Sequence, residues 1–169
     1  VERGAYPAIL TSASAHFSIA RAAVAAGLGT DAVVHIRTDA HGRMDVRELE
    51  RMCAEMQADA AHPQGVPLIV CATSGTTVLG AFDDVAAIAE VCRKYDLWLH
   101  VDASWGGAAA FLPHDAPERS VLAGLENAHS ITINPHKLLG VTHQCSFLLV
   151  HDKSVLIPPS HSDGGYLFH

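Results

Sequence analysis

The chain has 169 residues, 49% of them hydrophobic and 17% charged, with 18 Asp and Glu against 11 Lys and Arg and a formal net charge of -7. That length and apolar share suit one domain, or part of a larger one, and exclude a wholly disordered chain. The acidic balance argues against a nucleic-acid partner, which needs a basic face, and no apolar run approaches the roughly 18 residues of a membrane span. The chain opens on Val1 without an initiator Met or a signal peptide, and is expected to be a piece of something longer.

In chain order, Thr11 to Gly27 reads as a helix, with Ile19, Ala22, Ala23 and Ala26 on one stripe and Gly27 as the stop. Val33 to Arg37 is short and β-rich, and a turn follows at Asp39 to Gly42. Asp45 is placed to cap the next helix, with Glu48 three residues on completing a capping-box pattern. Leu49, Met52, Cys53 and Met56 form that helix's apolar face, and Pro67 to Thr73 is a buried strand. The pattern then repeats: Asp84 opens a helix through Ile88, Val91 and Cys92, and Leu97 to Val101 is the next strand. A helix-like Ser120 to Ala128 leads to a strand at Ser130 to Ile133. Cys145 to His151 closes the series as a strand, antiparallel because its connection from Lys137 is short. Strands alternating with helical segments predict an α/β fold, a mostly parallel sheet flanked by helices. Pro158 to Gly165, rich in Pro, Ser and Gly, is the expected irregular stretch.

Cys53, Cys71, Cys92 and Cys145 lack C-x-x-C spacing and sit in apolar stretches, so buried reduced thiols and a cytoplasmic setting are expected. Histidine is abundant at 12 residues, yet no H-E-x-x-H or Cys/His knuckle spacing appears, and no metal is expected.

Open α/β sheets bind ligands outside the carboxyl ends of their strands. Three polar segments fall there: Ser74-Gly75-Thr76-Thr77, Asp102-Ala103-Ser104-Trp105-Gly106-Gly107, and Asn134-Pro135-His136-Lys137. Asp102, ending an apolar strand, needs a cationic or hydrogen-bonding partner; capping a turn is its ordinary role, and Gly106 and Gly107 argue for close approach of a ligand. Lys137 is either a solvated charge or, taken out of water behind Pro135, a nucleophilic amine. Thr76 and Thr77 offer hydroxyls, or ordinary turn chemistry. His16 lies inside the Ala/Ser-rich helix expected from Thr11 to Gly27, where a satisfied core histidine is the usual case. No P-loop G-K-[ST] and no G-x-S-x-G elbow is present, and Gly27-Leu28-Gly29 follows a helix and lacks the third glycine of a dinucleotide site.

Together these segments resemble the group II pyridoxal-phosphate decarboxylases, in the glutamate/cysteine-sulfinate decarboxylase branch. The resemblance is carried in family order by Thr11-Ser12 with His16-Phe17-Ser18-Ile19, Gly42-Arg43-Met44, Ala72 to Asp83, Leu97 to Gly107, Asn134-Pro135-His136-Lys137, Gln144-Cys145-Ser146 and Gly165-Tyr166-Leu167-Phe168. It implies a fold-type I large domain, of which residues 1–169 are a part, with an upstream segment and a small C-terminal domain outside the chain. It implies pyridoxal 5'-phosphate as cofactor, held by Lys137 as the Schiff-base lysine. Asp102 would pair with the protonated pyridine nitrogen, Ala103 would let the ring pack closely, and His16 would stack on its other face. Thr77 is expected at the cofactor's polar edge, Asn134 near the phosphate and His136 beside the lysine. Ser104 departs from the second alanine of many members.

Trp105-Gly106-Gly107 and Lys137-Leu138 resemble the acidic-substrate branch more than the aromatic one. The resemblance therefore implies decarboxylation of an acidic L-amino acid, with glutamate first, giving 4-aminobutanoate and carbon dioxide. Aspartate and cysteine sulfinate follow as competitors, then an aromatic amino acid. Gln144 is read as a polar contact or a structural amide. The expected partners are the small amino-acid substrate and, in the full-length protein, a second copy in a homodimer. From a different class, the chain is an inactive truncated domain that only folds or dimerises.

Overall fold

The apolar runs do become strands. In the computed structural model, which describes residues 6–59 and 62–157, one sheet is built from β1 (Pro7–Ser12), β2 (Val33–Ile36), β3 (Val66–Thr73), β4 (Trp98–Asp102), β5 (Ser130–Ile133) and β6 (Phe147–Val150). The order is β2-β1-β3-β4-β5-β6, parallel throughout except for β6, which runs antiparallel to β5 as its short connection requires. Three helices, α1 (Ser18–Ala25), α2 (Val46–Ala58) and α3 (Val85–Tyr95), complete the frame. No described helix is long and apolar enough to cross a membrane.

Strand alternation divides the sheet into two unlike faces. Leu10, Val34, Ile36, Val70, Leu99 and Val101 pack with Leu49, Met52, Cys53 and Met56 of α2 and Ile88, Val91 and Cys92 of α3 in one core cluster. Each such side chain contributes about 1.5–3 kcal/mol by leaving water. The opposite face carries a much smaller cluster, Ile9 and Cys71 against Ala23 of α1. Ile19, Val33 and Ile69 pack against it, and polar residues such as His100, Asp102 and Thr132 share that face; α1 is short, has no side-chain cap and buries only Ala23. Cys53, Cys71 and Cys92 are buried, and burial pushes their thiols up to about 12, which leaves them as inert packing groups. Cys145 departs from the expectation, being only half-buried.

Two stretches differ from the helical expectation. Residues Thr11 and Ser12 belong to β1, and α1 starts at Ser18. β1 lies inside the sheet, paired on both sides, and Ala8, Leu10, Thr11 and Ser12 are fully buried; its small and polar residues concealed a central strand. Over Ser120 to Ala128 the chain forms parts of two 3-10 segments, Pro117–Leu122 and Leu125–Asn127, instead of one helix. Gly124 separates them at φ 88, where a Cβ would stand 2.4 Å from Ala86 N, so the chain turns sharply against α3. At α2, Asp45 accepts from Arg47 N and Glu48 N at 3.0 and 3.2 Å, as a cap should. The reciprocal half of the box is not made, because Glu48 pairs with Arg37 and Arg51. The stretch 158–165 lies outside the described residues.

Asp83 ties the loops at the carboxyl edge together. Buried at 4% exposure, its carboxylate accepts from Met44 N at 2.7 Å and from Thr73 N at 2.8 Å. Burial pushes its carboxyl above the ordinary range, against the pull of those two N–H groups. A raised folded-state value means that this group favours the fold at low pH and loses that contribution as pH rises through it. Asp83→Ala leaves two buried amides unpaired at 1–3 kcal/mol each, so we expect destabilisation of about 3 kcal/mol, read as a lower urea midpoint at unchanged m-value. A midpoint equal to that of the unsubstituted chain would refute the latch.

Candidate active site

The order β2-β1-β3 means that the chain leaves β1 in one direction and returns on its other side. The carboxyl ends of β1 and β3 therefore flank a topological switch point, where an open sheet leaves a crevice. A cavity of about 340 Å³ opens there, within the size range of small-molecule sites. Its wall draws on the segment after β1 (His16), the end of β3 and its loop (Thr73, Gly75, Thr77), β4 and its loop (His100, Asp102, Ser104, Trp105), and β5 and its loop (Thr132, Asn134, Lys137). The three polar segments expected to meet on one rim do meet.

Each side chain is placed by a local cause. Asp102 ends β4 with Thr73 and Thr132 as register partners, and its Oδ1 accepts from Ser104 N at 3.0 Å, which secures the turn. The loop after β5 bends tightly, with Lys137 N donating to Asn134 O at 3.0 Å, and half-buries Lys137. Lys137 Nζ stands 5.3 Å from the centroid of the Trp105 ring, within cation–π range. His16 precedes α1 and is half-buried on the cavity wall, so it is not the core histidine of a helix. Its Nδ1 accepts from Ser18 N at 3.3 Å, and its ring centroid is 4.0 Å from that of Phe17. Thr77 is exposed at the mouth. Asn134 lines the wall, and its buried carboxamide oxygen has no hydrogen-bond partner.

Two expected residues do not reach the cavity. Ala103 is fully buried in the main core cluster, because alternation from Asp102 turns it to the other side; the small residue on the wall is Ser104. His136 turns its ring to the backbone of Cys145, with Nδ1 2.7 Å from the carbonyl oxygen and 3.0 Å from the amide nitrogen, and so holds the loop after Lys137. The glycines after Asp102 also act otherwise than expected. A Cβ on Gly106 would come within 2.4 Å of Ser74 O, and one on Gly107 within 2.9 Å of Ile133, so they admit close packing of the protein on itself. Sequence reasoning missed His100 and Thr132, although each lies two positions before a residue it identified, Asp102 and Asn134, at the period of a strand face.

The wall thus holds an amine, a carboxylate, two imidazoles, hydroxyls and an unpaired carboxamide oxygen in one crevice. Such a set can capture a carbonyl compound covalently and hold a cationic ring nitrogen.

Comparison with known proteins agrees. The model of the pyridoxal-dependent decarboxylase conserved domain matches residues 4–169. Human cysteine sulfinic acid decarboxylase is 46% identical over 162 residues, covering 95% of this chain and 31% of that protein. An L-aspartate decarboxylase of Metarhizium robertsii is 44% identical over 162 residues, covering 96% and 31%. The apo crystal structure of mouse cysteine sulfinic acid decarboxylase superposes with a TM-score of 0.81 at 45% identity, covering 92% of this chain and 32% of that one. The chain therefore spans under a third of the length of these relatives.

Proposed function

The chain belongs to the pyridoxal-dependent decarboxylase family, and from that premise we propose that the full-length protein carrying it decarboxylates an acidic L-amino acid, with Lys137 as the cofactor lysine. The observation that carries this reading is the meeting of Lys137 and Asp102 in one cavity at the switch point. The residues fit pyridoxal phosphate. The cavity is large enough for one ring and its substituents, Asn134 brings a buried carboxamide oxygen without a partner, and Ser104 presents no bulk beside Asp102. When bound, the cofactor supplies an electron sink for the pair left behind by departing carbon dioxide.

The chain's own residues do the rest. Lys137 would hold the cofactor aldehyde through Nζ, and its place on the cavity wall would let the same amine carry a proton during turnover. Asp102 would hold a proton at the pyridine nitrogen, using the carboxylate that Ser104 N already orients. His16, on the cavity wall from the segment after β1, would cover one face of the ring. Thr77 and Asn134 would meet the cofactor's polar substituents, with the Thr77 hydroxyl and the Asn134 Nδ2 group as donors and Asn134 Oδ1 as an acceptor. Ser104 takes the ring-facing role first assigned to Ala103, and His136 acts by fixing the loop that carries Lys137.

Glutamate stood first among acidic substrates from sequence. The named relatives act on cysteine sulfinate and aspartate, whose side chains are one methylene shorter, and this supports the shorter acids ahead of glutamate. We read residues 1–169 as part of the large domain, with the remainder in the full-length protein, and propose a cytoplasmic homodimer; exposed Val78 and Leu138, next in sequence to Thr77 and Lys137, supply apolar surface for it. The test is carbon dioxide release by full-length protein from aspartate, cysteine sulfinate, glutamate and an aromatic amino acid. We expect the first two to exceed glutamate by roughly tenfold, the worth of one methylene in a fitted pocket, and the aromatic acid to be inert. Turnover of the aromatic acid alone, or of none, would overturn the reading.

A further inference from the structure

His100 has no part in the reaction just described, yet it lines the same cavity. Alternation puts Trp98, His100 and Asp102 on one face of β4, and the β5 residues opposite are Ser130 for His100 and Thr132 for Asp102. On that face Trp98 Nε1 is 2.9 Å from Ser130 Oγ, Ser130 Oγ is 2.8 Å from His100 Nδ1, and His100 Nε2 is 3.4 Å from Thr132 Oγ1. These contacts have a direction. An indole N–H only donates, so Ser130 Oγ accepts from Trp98. Ser130 is buried, and its own hydroxyl proton has one acceptor among these contacts, His100 Nδ1. A bare Nδ1 leaves the imidazole proton on Nε2, the nitrogen facing Thr132. Burial also pushes the imidazole below its ordinary range, while the nearby Asp102 charge works the other way.

We propose that Trp98, Ser130 and His100 form a hydrogen-bonded relay that holds His100 as the neutral Nε2–H tautomer two residues from Asp102, so that the Asp102 charge is left for the cofactor's ring nitrogen instead of being shared with an imidazolium. The inference rests on the reading that Asp102 meets that nitrogen. His100 is then a positioning residue, acting on the cofactor through Asp102. Its essential property is neutrality with a donor, which packing alone would not require.

The test uses full-length protein with three variants. Ser130→Ala removes the donor that fixes the tautomer, His100→Gln keeps a neutral donor, and His100→Lys installs a cation. The readouts are the imidazole 15N shifts of cofactor-free wild type, the dissociation constant for pyridoxal phosphate, and the ratio of protonated to unprotonated Schiff-base absorbance. We expect an Nε2–H His100 in wild type and a roughly tenfold weaker cofactor in Ser130→Ala, the loss of one hydrogen bond's worth of order. His100→Gln should stay within about threefold, and His100→Lys should weaken binding roughly a hundredfold and shift the absorbance ratio. An Nδ1–H or imidazolium His100 in wild type, a measurement that no variant's folding can confound, would overturn the relay. So would Ser130→Ala and His100→Lys proteins that match wild type in affinity and spectrum while the Lys137 adduct forms normally. Wild type that forms no Lys137 adduct would instead overturn the underlying reading, and the relay with it.

Discussion

Replacing Lys137 with alanine is expected to abolish covalent cofactor capture and lower turnover at least roughly 10³-fold, because neither other lysine of this chain is placed to take over. The chain's other lysines are Lys94 and Lys153. Lys94 is on α3, ion-paired with Glu50 at 2.6 Å, which raises its affinity for its proton and keeps the amine from attacking a carbonyl. Lys153 is exposed in the short 3-10 segment Lys153–Leu156 after β6. Lys137 alone combines half-burial, a loop held from both sides and a place on the cavity wall. Borohydride reduction of the full-length protein with pyridoxal phosphate, followed by peptide mapping, should find the adduct on the peptide with Lys137 and nowhere else in this chain. Lys137→Ala should lose the adduct while retaining the fold, since a half-buried lysine with no ion pair to a carboxylate among the described residues contributes little to stability. An adduct on Lys94 or Lys153, or undiminished trapping in Lys137→Ala, would remove the basis of the proposed chemistry.

How far such a site can be read beforehand depends on whether a side chain's direction follows from local rules. β3, β4 and β5 were legible because their apolar runs end abruptly in polar residues, and the ends of parallel strands are where a ligand must sit. That logic carried Asp102, Thr77, Asn134 and Lys137 to one cavity. β1 was hidden because a central strand does not need large apolar residues when neighbours on both sides bury it, as Thr11 shows by donating its hydroxyl to Cys71 O at 3.1 Å. Ala103 was misplaced although the alternation that turns Asp102 inward turns its successor away. The same rule names His100 and Thr132, so those were available signals left unread. His136 is different: its ring is drawn to the Cys145 backbone by a loop closure nine residues long, which no local pattern reveals. Gly106 and Gly107 teach a similar lesson, since a glycine signals close approach without saying of what.

Asp102→Asn separates the charge of that residue from its geometry, and its expected effect is a roughly 10²–10³-fold loss of turnover with the fold retained. The amide oxygen can keep the bond from Ser104 N that Asp102 Oδ1 now accepts at 3.0 Å, so the turn into Ser104 and Trp105 should survive. What disappears is the negative charge. A neutral amide cannot stabilise a proton at the ring nitrogen, so less of the charge left by carbon dioxide loss can be drawn into the ring, and the barrier rises by about 2.7–4 kcal/mol. Asp102→Ala should be worse on both counts, losing the charge and leaving Ser104 N without its acceptor. The measurement is kcat for the preferred acidic substrate with cofactor at saturation, alongside thermal unfolding of each cofactor-free variant. A loss confined to the cofactor's dissociation constant, with kcat within about threefold of wild type, would mean that Asp102 only anchors the ring. A fall in kcat at unchanged stability would establish that the carboxylate acts through charge. In the relay proposed above, a neutral His100 held by Ser130 is then what keeps that charge undivided.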